Sequence, residues 1–377
     1  MKKRLFTPGP ISVPEEVLLE MAKPIIHHRT PEFLAIAEET FKSLKYFFQT
    51  ENDVLILASS GTGAMEAAVV NTISPGDSAV VISAGKFGER FAELVKTYGG
   101  NVILHEPGWG NPADIKLIEK TLNENPSIKA VFATLVETST GTIYDIESIG
   151  NTVARHPNAI FIVDAISGLG AVPCYTDKWG IDILVSGSQK ALSLPPGLAF
   201  VSVSPKAWKR IEDTKTPRYY YDLRKYRKAA TKFDFPYTMA VSLVIGLRKS
   251  LQIIQQETLE VLWERHRKRA EAVRNAAAAM GLSIFSRAPS DAVTAILLPE
   301  GIDGEKLCSE MRKSFGMSVA GGQDALRGKV VRISHFGWQD EFDTIAVLSA
   351  LEVMLKRFGY PVNNGIGVKA AISVLFG

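Results

Sequence analysis

The chain has 377 residues, 46% of them apolar, with 43 lysines and arginines set against 40 aspartates and glutamates for a formal charge of +3. That near balance creates no field that would make nucleic acid or a membrane surface the main partner, and the length suits one large and one smaller unit, each with its own core. Two cysteines, Cys174 and Cys308, are too few for a disulfide framework or a thiolate metal site, so a reducing cytoplasm is expected and no metal.

The amino end reaches Thr7-Pro8-Gly9-Pro10 before an apolar run of signal length can build, and nowhere do about 20 apolar residues follow one another, so neither export nor a membrane helix is expected. From 53 to 199, short β-branched runs alternate with amphipathic stretches, the pattern of a parallel sheet with crossover helices. Strands are expected at 54–57, 78–82, 101–105, 130–135, 160–163, 183–186 and 199–203; helices fit 64–72, 89–98, 115–123 and 146–155. Runs such as Ala130-Val131-Phe132-Ala133 are apolar throughout, as strands covered on both faces are, and ligands in such α/β folds sit at the carboxyl ends of the strands. After Pro236 a helical pattern runs through Leu243, Leu247 and Leu251 to Arg274, and the domain change is placed near Gln256, giving a large domain over 1–256 and a small one over 257–377. The small domain shows strand-like 292–298 and 330–334 and helix-like 304–315 and 343–358, an α+β pattern, and no internal repeat is visible.

Three local features bear on chemistry. Ser59-Ser60-Gly61-Thr62-Gly63 follows one expected strand and opens a helix, where amides and the helix dipole favour a phosphate; the same pattern also reads as a plain capping turn. Asp164 ends the apolar strand 160–163, where a carboxylate needs a cationic or donating partner, such as a pyridinium nitrogen, or else caps the next helix. Lys190 in Ser186-Gly187-Ser188-Gln189-Lys190 stands at the rim of the sheet; a lysine in a partly desolvated site forms a Schiff base and, once freed, shuttles a proton, although a lone loop lysine normally faces solvent.

With Thr7-Pro8-Gly9-Pro10, Phe47-Phe48-Gln49-Thr50, Glu137-Thr138-Ser139-Thr140-Gly141 and Arg332 added in order, the sequence resembles the class V, fold-type I aminotransferases over nearly its whole length. Within them it is most similar to the alanine-glyoxylate, serine-pyruvate and serine-glyoxylate branch. The resemblance implies a mostly parallel, seven-stranded large domain covered by helices, pyridoxal 5'-phosphate carried on Lys190, and a homodimer. It also implies that Ser60, Gly61, Thr62 and Gln189 hold the cofactor phosphate, that Phe87 stacks on the ring, and that Thr138 bonds the ring's phenolic oxygen. Asp164 would meet the ring nitrogen and Arg332 the substrate carboxylate, which a planar guanidinium grips with two donors. For Phe87 core packing is the competing reading, and for Arg332 a surface ion pair. Gly9 and His28 would line the substrate side; the adjacent His27 and His28 make too small a ligand set for a metal.

Thr238 in Phe235-Pro236-Tyr237-Thr238 would reach the partner subunit's phosphate, while Phe235 stands where relatives carry a hydroxyl, which predicts one phosphate hydrogen bond fewer unless Tyr237 or a water replaces it. The Arg, Lys and Tyr-rich stretch 215–232 reads as a solvated interdomain or dimer-edge segment. The expected reaction is two-step transamination from a small amino acid, alanine or serine, to glyoxylate or pyruvate. A 2-aminoethylphosphonate-pyruvate aminotransferase, a lyase or cysteine desulfurase of the same fold, and an accessory cofactor-binding protein are the rival readings; Cys308 on a helix and Cys174 in Val172-Pro173-Cys174 read as packing residues.

Overall fold

A computed structural model of the protein describes residues 2–377. Its main sheet has seven strands: β1 (Asp53–Ala58), β2 (Ser78–Ile82), β3 (Asn101–His105), β4 (Ala130–Thr134), β5 (Ile160–Asp164), β6 (Ile183–Gly187) and β7 (Leu198–Val203). They lie in the spatial order β1-β7-β6-β5-β4-β2-β3. Six strands point the same way, and β7, antiparallel to both β1 and β6, is the one reversed. All seven fall where the sequence pattern puts them.

Alternation of side chains across each strand builds a core on both faces. Val131, Phe161, Leu184 and Phe200 join one apolar cluster with the helices Pro31–Phe48 and Val241–Glu257. Phe132, Ile162, Val185 and Val201 join the other, under Gly61–Thr72 and Lys86–Thr97. Every residue of β4 to β7 is buried, which explains their unbroken apolar runs. The stretch after Arg218 is not a loose connector. The Asn71 carboxamide donates to Tyr221 O and accepts from Leu223 N, so the segment is strapped over helix Gly61–Thr72, and Leu223 and Tyr226 enter its core.

The helical pattern after Pro236 is two helices, Val241–Glu257 and Leu259–Ala279. Between them Thr258 takes φ 72° and its hydroxyl caps the second helix at Val261 N. Beyond it, β8 (Val293–Leu297), β9 (Ala320–Gly321) and β10 (Val330–Ser334) form an antiparallel sheet in the order β8-β10-β9. Helices Gly304–Phe315, Glu341–Arg357 and Ile366–Phe376 complete a separate apolar cluster around Leu307, Val331, Leu351 and Leu375. The amino end belongs to this cluster as well: Arg4–Leu5 pairs with Met317–Ser318, and Phe6 is buried in it. Among the described residues no helix is long and apolar enough to cross a membrane.

Candidate active site

The segments that leave the carboxyl ends of β1, β2, β4, β5 and β6 carry the residues singled out in the sequence, and hydrogen bonds tie them to one another and to β10. Lys190 lies three residues beyond β6, and 8% of its surface is exposed. Its Nζ donates to the Pro8 carbonyl and stands 5.8 Å from the centroid of the Phe336 ring. Gly9 has φ 116°, and a Cβ there would lie 3.0 Å from Nζ, so the amino-terminal segment can cross the lysine only as glycine. Burial outweighs the attraction of Asp164 and brings the Lys190 pKa down to about 8, which makes the amine available as a nucleophile near neutral pH.

Asp164 is the last residue of β5 and is buried. It accepts one hydrogen bond, from Ile166 N at 2.8 Å, and burial lifts its pKa to about 7. A carboxyl so placed gains by meeting a protonated nitrogen. It does not act as a helix cap, because no helix starts after it.

Ser60 is the residue before helix Gly61–Thr72, and its hydroxyl makes no capping bond. The first turn carries no acid, so amides and dipole face outward together with the hydroxyls of Ser60 and Thr62, both exposed. A side chain at Gly61 would displace Ile166, since a Cβ would lie 2.6 Å from Ile166 Cδ1. The Gln189 Oε1 beside it is buried with no partner; an amide oxygen only accepts, so toward an anion it is the Nε2 of that carboxamide that serves as donor. An anion cup, a buried carboxyl and a buried amine thus occur together, and these residues fit the phosphate, ring nitrogen and aldehyde carbon of pyridoxal phosphate.

Phe87 opens helix Lys86–Thr97 and is half-buried, outside the apolar clusters, which removes the core-packing reading. The Arg90 guanidinium lies 5.0 Å from its ring centroid and donates to Thr62 Oγ1 at 3.1 Å. Thr138 is buried and donates to Ser167 Oγ at 2.5 Å. Arg332, in the middle of β10, is buried too, and it donates to Gly321 O at 2.9 Å and to Thr138 O at 2.8 Å. Among the described residues it has no ion-pair partner, so the surface-pair reading fails and the guanidinium keeps donors for an anion.

Two groups went unrecognised in the sequence. Glu137 is fully buried; its carboxylate accepts from Phe87 N at 3.0 Å, Gly88 N at 3.1 Å, Ser139 N at 3.2 Å and the Ser139 hydroxyl. Burial raises its pKa against those four donors. Ser167 was missed because its partner Thr138 is 29 residues away, as Phe87 is 50 residues from Glu137.

Other expectations change. Phe235 is 2% exposed and packs on Phe33 and Phe41, with ring centroids 6.1 and 5.6 Å away, so it is a core residue and not an altered phosphate position. The Tyr237 hydroxyl is engaged by Tyr219 O. Thr238 is exposed, with no hydrogen bond inside the chain's described residues. His28 stacks near His27 at 4.6 Å, next to the Arg29–Asp234 pair, and no hydrogen bond among the described residues joins it to Lys190, Asp164 or Arg332. Burial pushes both thiols up to about 12, leaving neither Cys174 nor Cys308 as a ready nucleophile.

The profile of the family described as aminotransferase class-V matches residues 13–346. The chain belongs to the class V aminotransferases. It is 34% identical over 387 residues to the serine--glyoxylate aminotransferase of Methylorubrum extorquens, covering 99% of this chain and 96% of that one. It is 44% identical over 380 residues to a protein named soluble hydrogenase, small subunit, of Synechococcus sp., covering 99% and 98%. Among solved structures, the ureidoglycine-glyoxylate aminotransferase of Bacillus subtilis superposes with a TM-score of 0.94 at 30% identity, covering 99% of this chain and 98% of that one. This aminotransferase is therefore an enzyme of the fold that its sequence pattern implied.

Proposed function

We propose that this aminotransferase binds pyridoxal 5'-phosphate on Lys190 and moves the amino group of alanine or serine to glyoxylate or pyruvate in two half-reactions. The observation that carries the reading is the set formed by the Lys190 amine, the Asp164 carboxyl and the open helix turn at Ser60, with Arg332 tied through Thr138 O to the loop that follows β4. The cofactor, when bound, supplies an electron sink for charge at the substrate's α-carbon. Ser60, Thr62, Gln189 and the amides at Gly61 hold its phosphate, Phe87 covers the ring, Thr138 meets the ring oxygen, and Asp164 keeps the ring nitrogen protonated.

Arg332 grips the α-carboxylate and so orients the α-carbon, and Lys190 Nζ moves the proton there. The Pro8-Gly9 crossing and the Phe336 ring wall off that amine from water. Gly9, next to the Pro8 carbonyl that Nζ bonds, borders the amino-acid side, with His28 further out.

We also assign the active form as a cytoplasmic homodimer in which exposed Thr238 serves the partner's phosphate. Light scattering on the purified protein should give twice the chain mass, and a monomer with full activity would contradict the assignment. The rival donors differ in one group: 2-aminoethylphosphonate has no carboxylate for Arg332. The thiols, Cys174 buried and Cys308 half-buried on a helix, both with raised pKa, do not favour a desulfurase.

The test is a panel of amino donors against glyoxylate and pyruvate with keto-acid product measured. Alanine or serine should be consumed in step with glycine or alanine formed, and transfer from 2-aminoethylphosphonate alone, or none at all, would overturn the proposal.

A further inference from the structure

We infer that Glu137 is the positioning residue that sets the width and tilt of the cofactor slot, by clamping the helix that carries Phe87 to the loop that carries Thr138. The inference rests on the reading of Lys190, Phe87 and Thr138 given under Proposed function.

A carboxylate with no surface exposure is costly unless donors surround it, and this one has four. They come from two different elements. Oε2 receives the amides of Phe87 and Gly88, the first turn of helix Lys86–Thr97. Oε1 receives the amide and hydroxyl of Ser139, two residues along its own loop. The Ser139 hydroxyl in turn accepts from Lys86 N at 3.2 Å, which makes a second stitch between the same two elements.

The space is made for this clamp. Gly85, in an extended conformation that any residue could adopt, is nevertheless barred to a side chain: a Cβ would lie 2.3 Å from Ser139 Oγ and 2.5 Å from Glu137 Cδ.

What the clamp holds are the parts that would touch the ligand. On one side Phe87 sits directly on the bonded amide. On the other, Thr138 is the next residue in the chain, with its hydroxyl on Ser167 and its carbonyl taken by Arg332. Glu137 touches neither cofactor nor substrate. It sets where the stacking ring stands relative to the groups on the facing loop, and a shift on the order of 1 Å in such a constellation costs binding as well as rate.

The test measures cofactor binding without turnover. Apo protein is titrated with pyridoxal phosphate, followed by visible absorbance and by the circular dichroism of the bound band, for the unchanged chain, Glu137→Gln, Phe87→Ala and the double variant. An amide at 137 turns donors toward N–H groups, so Glu137→Gln should raise Kd by at least about tenfold, the effect of leaving buried donors unmet. It should also weaken the dichroic band per bound cofactor while apo unfolding stays cooperative. Because Glu137 acts through Phe87, the double variant's Kd should lie within about twofold of the weaker-binding single variant.

Gly85→Ala, which keeps the carboxylate but displaces it, should show the same rise in Kd, and it replaces Glu137→Gln if that protein does not fold. Kd within twofold of the unchanged chain in the soluble variant, or penalties that multiply in the double variant, overturns the inference alone. Failure of the unchanged chain to take up the cofactor overturns the underlying reading and this one with it.

Discussion

Lys190 and Asp164 are shifted in opposite directions by one cause, burial. The Lys190 pKa falls from 10.5 to about 8, so between those values the unfolded chain holds the extra proton. Stability of the apo protein therefore rises with pH through that window, and the penalty for the buried ammonium is fully felt below about pH 8. The same shift governs capture: the rate at which apo protein takes up pyridoxal phosphate should climb through a midpoint near pH 8, and a flat profile from pH 6 to 10 would count against Lys190 as the nucleophile. Asp164, raised from 3.8 to about 7, is destabilising in its charged form until a protonated nitrogen meets it. Asp164→Asn should leave cofactor attached to Lys190 yet slow turnover by roughly 10- to 100-fold, the scale of a lost buried charge contact; steady-state rates on the loaded variant decide it.

At this scale the sequence singled out Lys190, Asp164 and Arg332 as candidates, each beside a plainer reading (a solvent-facing lysine, a helix cap, a surface ion pair) that burial and local structure remove. It did not show the groups that hold them. Glu137 meets Phe87 across 50 positions, Thr138 meets Arg332 across 194, and neither pairing leaves a local pattern.

At the scale of elements, strands buried on both faces declared themselves by unbroken apolar runs, and the β-to-α turns by their glycines. Interruption of a helix did not. Thr258 sits in a stretch with helical periodicity on both sides, and its φ of 72° with a side-chain cap is a break that hydrophobic spacing cannot reveal. Phe235 was misplaced because motif resemblance assigns a position without its depth. Its ring fills the space between Phe33 and Phe41, so Phe235→Tyr should cost about 1–3 kcal/mol for a hydroxyl buried without a partner and leave cofactor affinity unchanged. Denaturant melts and a cofactor titration test both halves of that statement; tighter cofactor binding would restore the phosphate reading.

The strand β10 delivers Arg332 to the loop that follows β4, bridging the two sheets. Arg332→Lys keeps the charge and loses the fork. KM for donor and acceptor should both rise roughly tenfold while the absorbance of bound cofactor is retained, and a change confined to kcat would speak against carboxylate binding.

Across the whole molecule, the boundary expected near Gln256 falls within helix Val241–Glu257, two residues before the Thr258 break, whereas Arg4–Leu5 and Phe6 pack with the carboxyl-terminal cluster. The amino-terminal segment therefore starts in one unit and crosses Lys190 at Pro8 in the other, a path invisible to composition because it depends on pairing Arg4–Leu5 with Met317–Ser318. The central claim, that Lys190 carries the cofactor of a transaminase, is tested most directly by borohydride reduction of the protein with pyridoxal phosphate and mapping of the labelled peptide. The label should fall on Lys190 alone and vanish, together with amino transfer, in Lys190→Ala; label on another lysine, or transfer that persists in that variant, would contradict the account.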